Sequence, residues 1–537
     1  MLDLPTDVQL LILEHIRSKA DQKSLCLTSK AIRYLALPTL YHTVHLRTWD
    51  SAHRHLVTFV KSVAAGAGCY LRYTRNLCFE DVQPPAEPDS VQTGPFDFDA
   101  RYDRFSNREL SARDEYMYLV MEMFPDHCLH TFRFLSERSL SPKIFYHLER
   151  TQQKIRHLHV NWSGAAPTVP CIYNIAKMPL PALQSLDIQF TSRHGITSIL
   201  NHLFSNGSAL KRLSLGRRYE GNRGLLYHCM QKMRASPKLG KLRELSLTGF
   251  DVGQLYSILA TKIDFHQLLA LSISRCKNAD TFFQDLGSGF SGQPSQLQRL
   301  FAAVFEDSSI GTLLDHSPNL ISLHLVWERG RPKALWDRLD RIGPRLRSLG
   351  MHRADLEPGM DAIGGSYEDI RWQHLFEKCP NTRQFGYQLS EHDVDPTQWD
   401  CNGGLEKFLE KLKYMPDLCM MHFRYSRCTD VDSDEGEEVK RQREVTFELQ
   451  RFANAFFHYM DTHSICPNLN ALAIGMSRGP KLFPESNEHH VPRHCFIKGH
   501  QTDVMNRKTT IAVSVLAYKL RQYEPEADIL DLDPECE

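Results

Sequence analysis

The stretch that decides the fold is Leu210-Lys211-Arg212-Leu213-Ser214-Leu215, matched further on by Leu242-Arg243-Glu244-Leu245-Ser246-Leu247. Both read L-x-x-L-x-L, and the last two leucines, two positions apart, fall on one face of a strand. Working toward the N-terminus, the spacing recurs with apolar substitutes at Leu183/Leu186/Ile188, Ile155/Leu158/Val160 and Leu129/Phe132/Phe134, with a candidate first copy at Thr74/Leu77/Phe79. Toward the C-terminus it recurs at Leu268/Leu271/Ile273, Leu297/Leu300/Ala302, Leu320/Leu323/Leu325 and Leu346/Leu349/Met351. Beyond these lie a weak copy at Thr382/Phe385/Tyr387, then Leu418/Met421/Phe423 and Leu469/Leu472/Ile474. Successive starts from 129 to 346 are 26, 28, 27, 32, 26, 29, 23 and 26 residues apart, and the later ones 36, 36 and 51.

Between these segments the apolar period changes from 2 to 3.6. Ile196, Ile199, Leu200, Leu203 and Phe204 share a helical face, as do Leu225, Leu226, Cys229, Met230 and Met233. Prolines precede many of the strands, at Pro181, Pro318, Pro344, Pro380, Pro416 and Pro467, where they suit a turn entering a short strand. A strand followed by a helix in about 27 residues matches the period of leucine-rich repeats. Leu268-x-x-Leu271-x-Ile273-x-x-Cys276 resembles the cysteine-containing subtype of that repeat. The expected body is therefore α/β, a curved leucine-rich-repeat solenoid with parallel strands on the concave face and helices on the convex face. An all-helical repeat is the alternative, because short apolar runs suit either state; the prolines and the fixed spacing favour strands.

Residues 4 to 46 read as a compact helical unit. Val8, Leu11, Ile12 and Ile16 recur at helical spacing after Pro5-Thr6-Asp7, and Asp21 is placed to cap a second helix carrying Leu25, Leu27 and Ile32. Pro38 ends that helix in this reading, and residues 40–46 read as an extended exit. So small a unit cannot bury this many apolar side chains by itself, which marks it as a docking module. Leu4-Pro5-Thr6-Asp7-Val8, Ile12-Leu13, Ile16, Asp21, Leu25-Cys26-Leu27, Ser29-Lys30 and Ile32-Arg33 resemble the F-box motif. Leu37-Pro38-Thr39-Leu40-Tyr41 is similar to the ending common in fungal F-box proteins, while Ile32 stands where many members have Trp.

The resemblance implies a three-helix F-box that docks a Skp-family adaptor and, through it, a cullin, making the chain a substrate receptor of an SCF-type ubiquitin ligase. It implies adaptor contacts among Leu4, Pro5, Val8, Ile12, Leu13, Ile16, Leu25, Leu27 and Ile32, some of which must instead be internal core. A helical cap on the first repeat is the plainer reading of the same residues. The variable strand positions Arg212, Ser214, Arg243, Ser246, Ser272, Ser274, His324 and Arg347 are the expected target contacts, and Arg212 and Arg243 suit an anionic group. The corresponding division is 1–46 F-box, 47–126 a degenerate first repeat, 127–480 the array and 481–537 a C-terminal cap. A Pro/Asp-rich loop is expected at 80–105 and an acidic insertion at 429–440, after which Val445, Phe447, Leu449, Phe452, Phe456, Phe457 and Met460 form a buried helix. Thr509–Val515 reads as a last strand, and 528–533 as part of the cap.

Bulk properties fit this reading. Lys+Arg and Asp+Glu both number 64, so no global charge excess points to nucleic acid or a membrane surface. No apolar run approaches the roughly 18–20 residues of a spanning helix, and Met1-Leu2-Asp3-Leu4 does not open a secretory signal. The 14 cysteines form no C-x-x-C pair, which points to a reduced, cytoplasmic or nuclear setting. Gly287–Gly292 formally matches G-x-G-x-x-G, but it follows a helical pattern instead of a strand and reads as a flexible connector. His489, His490, His494, Cys495 and His500 read as a His-rich loop, not a zinc site, since their spacing fits no standard finger. No nucleophile elbow, P-loop or H-E-x-x-H is present, so no cofactor and no catalysis by the chain itself are expected. A scaffold with the same two parts but no role in ubiquitylation is the alternative function, and nucleotide binding at Gly287–Gly292 would be the mark of an enzyme.

Overall fold

The computed structural model describes residues 4–16, 19–48, 54–80, 107–135, 140–162, 180–190, 209–217, 226–227, 239–290, 292–329, 333–353, 371–389, 394–398, 404–427, 435–475, 489–490, 494–502, 505–515 and 520. The loop expected at 80–105, the helical faces expected around 196–204 and 225–233 and the segment 528–533 lie outside these residues, except Glu80 and residues 226–227. The chain divides into two compact units, Met1–Asn222 with His228–Leu242, and Arg223–Tyr227 with Arg243–Glu537.

The first unit opens with helices α1 (Thr6–His15), α2 (Lys19–Thr28) and α3 (Lys30–Tyr41). Ser29 separates the last two, its Oγ accepting from the Ile32 amide at 3.2 Å, an N-cap for α3. Three local expectations are corrected here. The second helix expected to carry Leu25, Leu27 and Ile32 is two helices, since the Ser29 cap starts α3 and puts Ile32 on it. Helix α2 starts at Lys19, so Asp21 lies in its first turn, where the helix dipole favours a carboxylate, and does not cap it. Helix α3 runs through Pro38 to Tyr41, so the proline lies inside the last turn and leaves the ladder one amide donor short instead of ending the helix before it.

Strands β1 (Thr43–Arg47), β2 (Asn76–Glu80), β3 (Thr131–Leu135), β4 (His157–Trp162), β5 (Ser185–Phe190) and β6 (Arg212–Arg217) then pair in chain order, all parallel. The extended exit is thus a full member of the sheet. Register aligns the apolar positions of the repeat into continuous rows: Val44, Leu77, Phe132, Leu158, Leu186 and Leu213 stand side by side and are buried. Thr74 holds the first position of a degenerate copy without penalty, since its buried hydroxyl donates to the Tyr41 carbonyl at 2.9 Å. Helices α4 (Arg54–Ala64), α5 (Asn107–Glu122) and α6 (Pro142–Thr151) connect the early strands.

In the second unit β7 (Glu244–Thr248), β8 (Ala270–Ser274), β9 (Arg299–Glu306), β10 (Ser322–Arg329), β11 (Ser348–Arg353), β12 (Gln384–Leu389), β13 (Met420–Arg427) and β14 (Ala471–Ile474) are again parallel and in order. The intervening helices are α7 (Leu255–Leu259), α8 (Ala279–Gly289), α9 (Gly311–Asp315), α10 (Lys333–Trp336), α11 (Leu339–Ile342), α12 (Arg371–Lys378) and α13 (Gly404–Lys411). Between helices and strands lies an aromatic core, with Trp372 and Phe408 5.3 and 4.8 Å from the Tyr387 ring. The proline lead-ins tie neighbouring repeats: Asn381 Nδ2 donates to the Pro344 carbonyl at 2.8 Å and Asn468 Nδ2 to that of Pro416 at 3.2 Å.

The array ends differently. Strand β14 is followed by β15 (His489–His490), antiparallel to β13, and by β16 (His494–Thr502) and β17 (Lys508–Val515), which continue the sheet antiparallel. Residues 494–502, read from sequence as part of a His-rich loop, are strand because Cys495 and Phe496 are buried against β14. Helix α14 (Glu435–Thr462) begins inside the expected acidic insertion and packs on β17. Its Val445, Leu449, Phe452, Phe456, Phe457 and Met460 are buried, whereas Phe447 is exposed, lying off the i, i+4 stripe. The glycine-rich match at 287–292 is no connector at its start: Gly287 and Gly289 belong to α8. A Cβ at Gly287 would sit 2.8 Å from the Leu313 amide, so the glycine permits α8 to close on α9.

Candidate functional site

The nine apolar positions singled out between Leu4 and Ile32 separate into three groups. Leu13 and Ile32 are buried, with Ala36 and Leu37 of α3, while Ile16 and Leu25 are half-buried. Leu4, Pro5, Val8, Ile12 and Leu27 are exposed, and so are Leu10, Leu11 and Tyr34, which the motif did not single out. Leu27 is 81% exposed and Leu11 56%, figures that rule out a role for either in holding the helices together. Val8, Leu11 and Ile12 are spaced i, i+3, i+4, so α1 presents one apolar stripe to solvent. The buried Gln22 donates to the Ile16 carbonyl at 2.6 Å, satisfying the backbone where α1 ends. On its other side α3 is fixed to the 3-10 helix Ala67–Tyr73: Arg33 Nη2 donates to the Tyr70 hydroxyl at 3.0 Å, and the Tyr41 and Tyr70 rings lie 5.2 Å apart.

The second candidate surface is the strand face opposite the apolar rows. In the first unit register sets His45, Cys78, Arg133, His159, Asp187 and Ser214 in one row across β1–β6. His45 Nε2 meets Glu80 Oε2 at 2.8 Å and His159 Nδ1 meets Asp187 Oδ2 at 3.1 Å. Burial works to raise the Asp187 pKa, but hydrogen bonds from His159 and Ser214 and the charge of Arg212 outweigh it and hold the carboxyl below its ordinary range. The carboxylate stands between the hydroxyl and the imidazole. A nucleophilic relay requires the imidazole in the middle, so this trio is a polar tie and not such a relay.

The expected target residues do not form one surface. Arg212 and Arg347 are exposed, and Arg243, Ser246 and Ser272 are half-buried. Ser214, Ser274 and His324 are buried, which corrects their assignment as open contacts. Ser274 shares a 2.9 Å hydrogen bond with Thr248, and Arg243 Nη1 donates to Gln267 Oε1 at 2.7 Å. From β9 onward the strands are covered on both faces: Phe301, Ala303, Val326, Met420, Ala471 and Ala473, all at variable positions, are buried. Met420, Ala471 and Ala473 pack with Cys495 and Leu520. The sequence signal for this was available, since Leu300-Phe301-Ala302-Ala303-Val304 and Ala471-Leu472-Ala473-Ile474 are unbroken apolar runs, the mark of a strand buried on both sides.

Within that covered face a histidine group crosses three strands. The His324 ring lies 4.6 Å from Phe301 and 4.6 Å from His352, which is 6.2 Å from His422. Among the described residues neither ring nitrogen of the buried His352 has a hydrogen-bond partner, and burial, then His324, Arg424 and His422, hold its pKa well below the ordinary value. Cys276, the repeat-subtype cysteine, donates to the Leu247 carbonyl at 3.4 Å, and burial pushes its thiol up to about 12, a structural and unreactive setting. Among the described residues no group of three His, Cys, Asp or Glu side chains is arranged to hold a metal ion, and no helix is long and apolar enough to cross a membrane. No family model matches the chain, and no curated protein matches it.

Proposed function

We propose that the chain is the substrate-recognition subunit of an SCF-type ubiquitin ligase, with α1–α3 docking a Skp-family adaptor and the repeat body, as a curved solenoid, binding a target protein. The observation that carries this reading is the apolar stripe of Val8, Leu11 and Ile12 on α1, with Leu4 and Leu27 exposed as well. A helical cap would turn such residues onto the first repeat. Here the side of α3 that meets the repeat is occupied by Arg33, Tyr41 and Tyr70 contacts, and the apolar stripe is left to solvent. Exposed contiguous apolar side chains are the signature of a protein partner. The motif resemblance supplies the kind of partner.

The chain's contribution would be proximity. Holding a target lysine near a thioester carried by another subunit raises effective concentration without any chemistry by the receptor. The test is a pull-down of a recombinant Skp-family adaptor by the full chain, alongside Ile12→Asp with Leu27→Asp. Both substituted residues are exposed, so the variant is expected to keep its thermal midpoint and lose the adaptor. A native chain that is folded and captures no adaptor would return α1–α3 to the role of a repeat cap.

A further inference from the structure

The strand entries of the first unit carry a pattern of which the target list contains only Arg212 and the motif nothing. Backbone hydrogen bonds link Arg75 N to His42 O (2.9 Å), His130 N to Arg75 O (2.7 Å), Arg156 N to His130 O (2.7 Å), Gln184 N to Arg156 O (2.8 Å) and Lys211 N to Gln184 O (2.7 Å). His42, Arg75, His130, Arg156, Gln184 and Lys211 therefore stand side by side where β1–β6 begin. The next row along adds His157 and Arg212, and neither row contains an Asp or Glu. His42, Arg156, His157, Lys211 and Arg212 are exposed, and Arg75 and His130 half-buried. The charge of the two rows is carried by Arg75, Arg156, Lys211 and Arg212, and in a chain whose Lys+Arg and Asp+Glu balance at 64 each, four cations with no carboxylate in either row are a local segregation of charge.

We propose that this band binds an extended anionic peptide segment of a partner protein. Five steps between parallel strands at ~4.8 Å give a strip of roughly 24 Å, the length of about seven or eight extended residues. One anchor is built in advance: Arg75 Nη1 is held by the carbonyls of Arg72, Thr74 and Cys128 at 2.9, 3.0 and 3.4 Å, so its charge is presented without the usual ordering cost. The two rows hold no Phe, Tyr or Trp, the largest stacking platforms for single-stranded nucleic acid, though their histidines and arginines can stack on bases, which makes an oligonucleotide the necessary comparison in the test. Burial first and neighbouring cations second lower the pKa values of the band's histidines: Arg75 and Lys19 bear on His42, Arg156, Arg75 and Lys154 on His130, Arg156 and Arg212 on His157. No carboxylate is among those influences. The shared chemistry of the ligand is a row of anionic side chains, carboxylate or phosphoserine. Its role as a target segment rests on the receptor reading above; the binding itself does not.

The experiment is fluorescence anisotropy with the full chain and no adaptor, so it can fail or succeed independently of the pull-down. The probes are labelled peptides of about eight residues, long enough to span the strip. One alternates Glu and Ser, one Ser and phosphoserine, and one has Gln in place of every Glu; an oligo-dT serves as comparison. At least one anionic peptide should bind, weakening with added salt, and the Gln peptide should bind about tenfold more weakly or not at all. Arg156→Glu with Lys211→Glu should lose about tenfold or more in affinity while keeping the native thermal midpoint. Should that pair unfold, Arg156→Gln with Lys211→Gln replaces it, with a smaller loss expected. Lys407→Glu with Lys413→Glu, exposed in the second unit and equal in charge change, should bind as the native chain does. Equal binding of Glu and Gln peptides, no binding of either anionic peptide, retained affinity in the charge-reversed variant, or an equal loss in the control pair would overturn the proposal. Tighter binding of oligo-dT than of both anionic peptides would overturn it in favour of nucleic acid.

Discussion

Leu11 and Leu13 flank Ile12 in α1, and burial gives them different duties: Leu13 is sealed in the three-helix core, while Leu11 is open to solvent. Leu13→Ala is expected to cost ~2–5 kcal/mol, and Leu11→Ala less than about 0.5 kcal/mol, by chemical denaturation of the isolated chain. Equal losses at the two positions would mean that the stripe is packed in solution. The motif names Leu13 and the helical spacing names Leu11, but both record apolarity and not which side of the helix meets a neighbour. His352 makes a second residue-scale prediction. Its folded pKa lies well below that of the unfolded chain, so the unfolded state takes up the proton first as the medium is acidified. The stability tied to its neutral form is present above about pH 6.5 and drains as pH falls, at most ~1.4 kcal/mol per pH unit for this one group. The thermal midpoint of the native chain should therefore drop between pH 7.5 and 5.5, and His352→Leu should flatten that dependence. An unchanged slope in the variant would place the acid sensitivity elsewhere.

At the scale of elements, the L-x-x-L-x-L register was legible throughout. Every copy quoted from sequence is a strand from β2 to β14, including the weak ones, because a buried Thr hydroxyl can find a carbonyl: Thr382 Oγ1 donates to Leu346 O at 3.2 Å as Thr74 does to Tyr41. What the pattern could not reveal was which face of each strand is covered from outside the repeat. His324 looks like an open variable position until Phe301 and His352 are found against it. The antiparallel close of the array was only half legible, since β17 alternates in sequence but β16 is masked by its histidines. Among the described residues, β17 pairs with β16 alone, and α14 treats its outer edge: Asn454 Oδ1 accepts from the Ala512 amide at 2.8 Å and Gln450 Nε2 donates to the Ala512 carbonyl at 2.8 Å. Edge strands with open backbone groups recruit other chains, and these side chains close one residue's worth of that edge. Gln450→Ala with Asn454→Ala should cost about 1–3 kcal/mol by leaving the Ala512 groups unsatisfied. It should also raise the aggregated fraction on heating, read by light scattering, and a variant as stable and as soluble as the native chain would show the cap to be idle.

At the scale of the molecule, the first unit carries two exposed features, an apolar stripe on α1 and a basic band where β1–β6 begin, whereas the later strands of the second unit are covered on both faces. The sequence located a helical N-terminal unit and the strands of the repeat, but it put the expected target contacts at variable positions along the whole array, because a repeat pattern carries no information about what covers it. Local charge segregation is likewise invisible in a net charge of zero and emerges only when register brings His42, Arg75, His130, Arg156 and Lys211 into one row. The central claim concerns the helices, and calorimetric titration of a recombinant Skp-family adaptor into the full chain tests it most directly. Saturable binding by the native chain is expected, abolished by Ile12→Asp with Leu27→Asp and kept by Arg156→Glu with Lys211→Glu. A folded native chain that gives no heat of binding, or an Ile12/Leu27 variant that binds as tightly as the native chain, would contradict it.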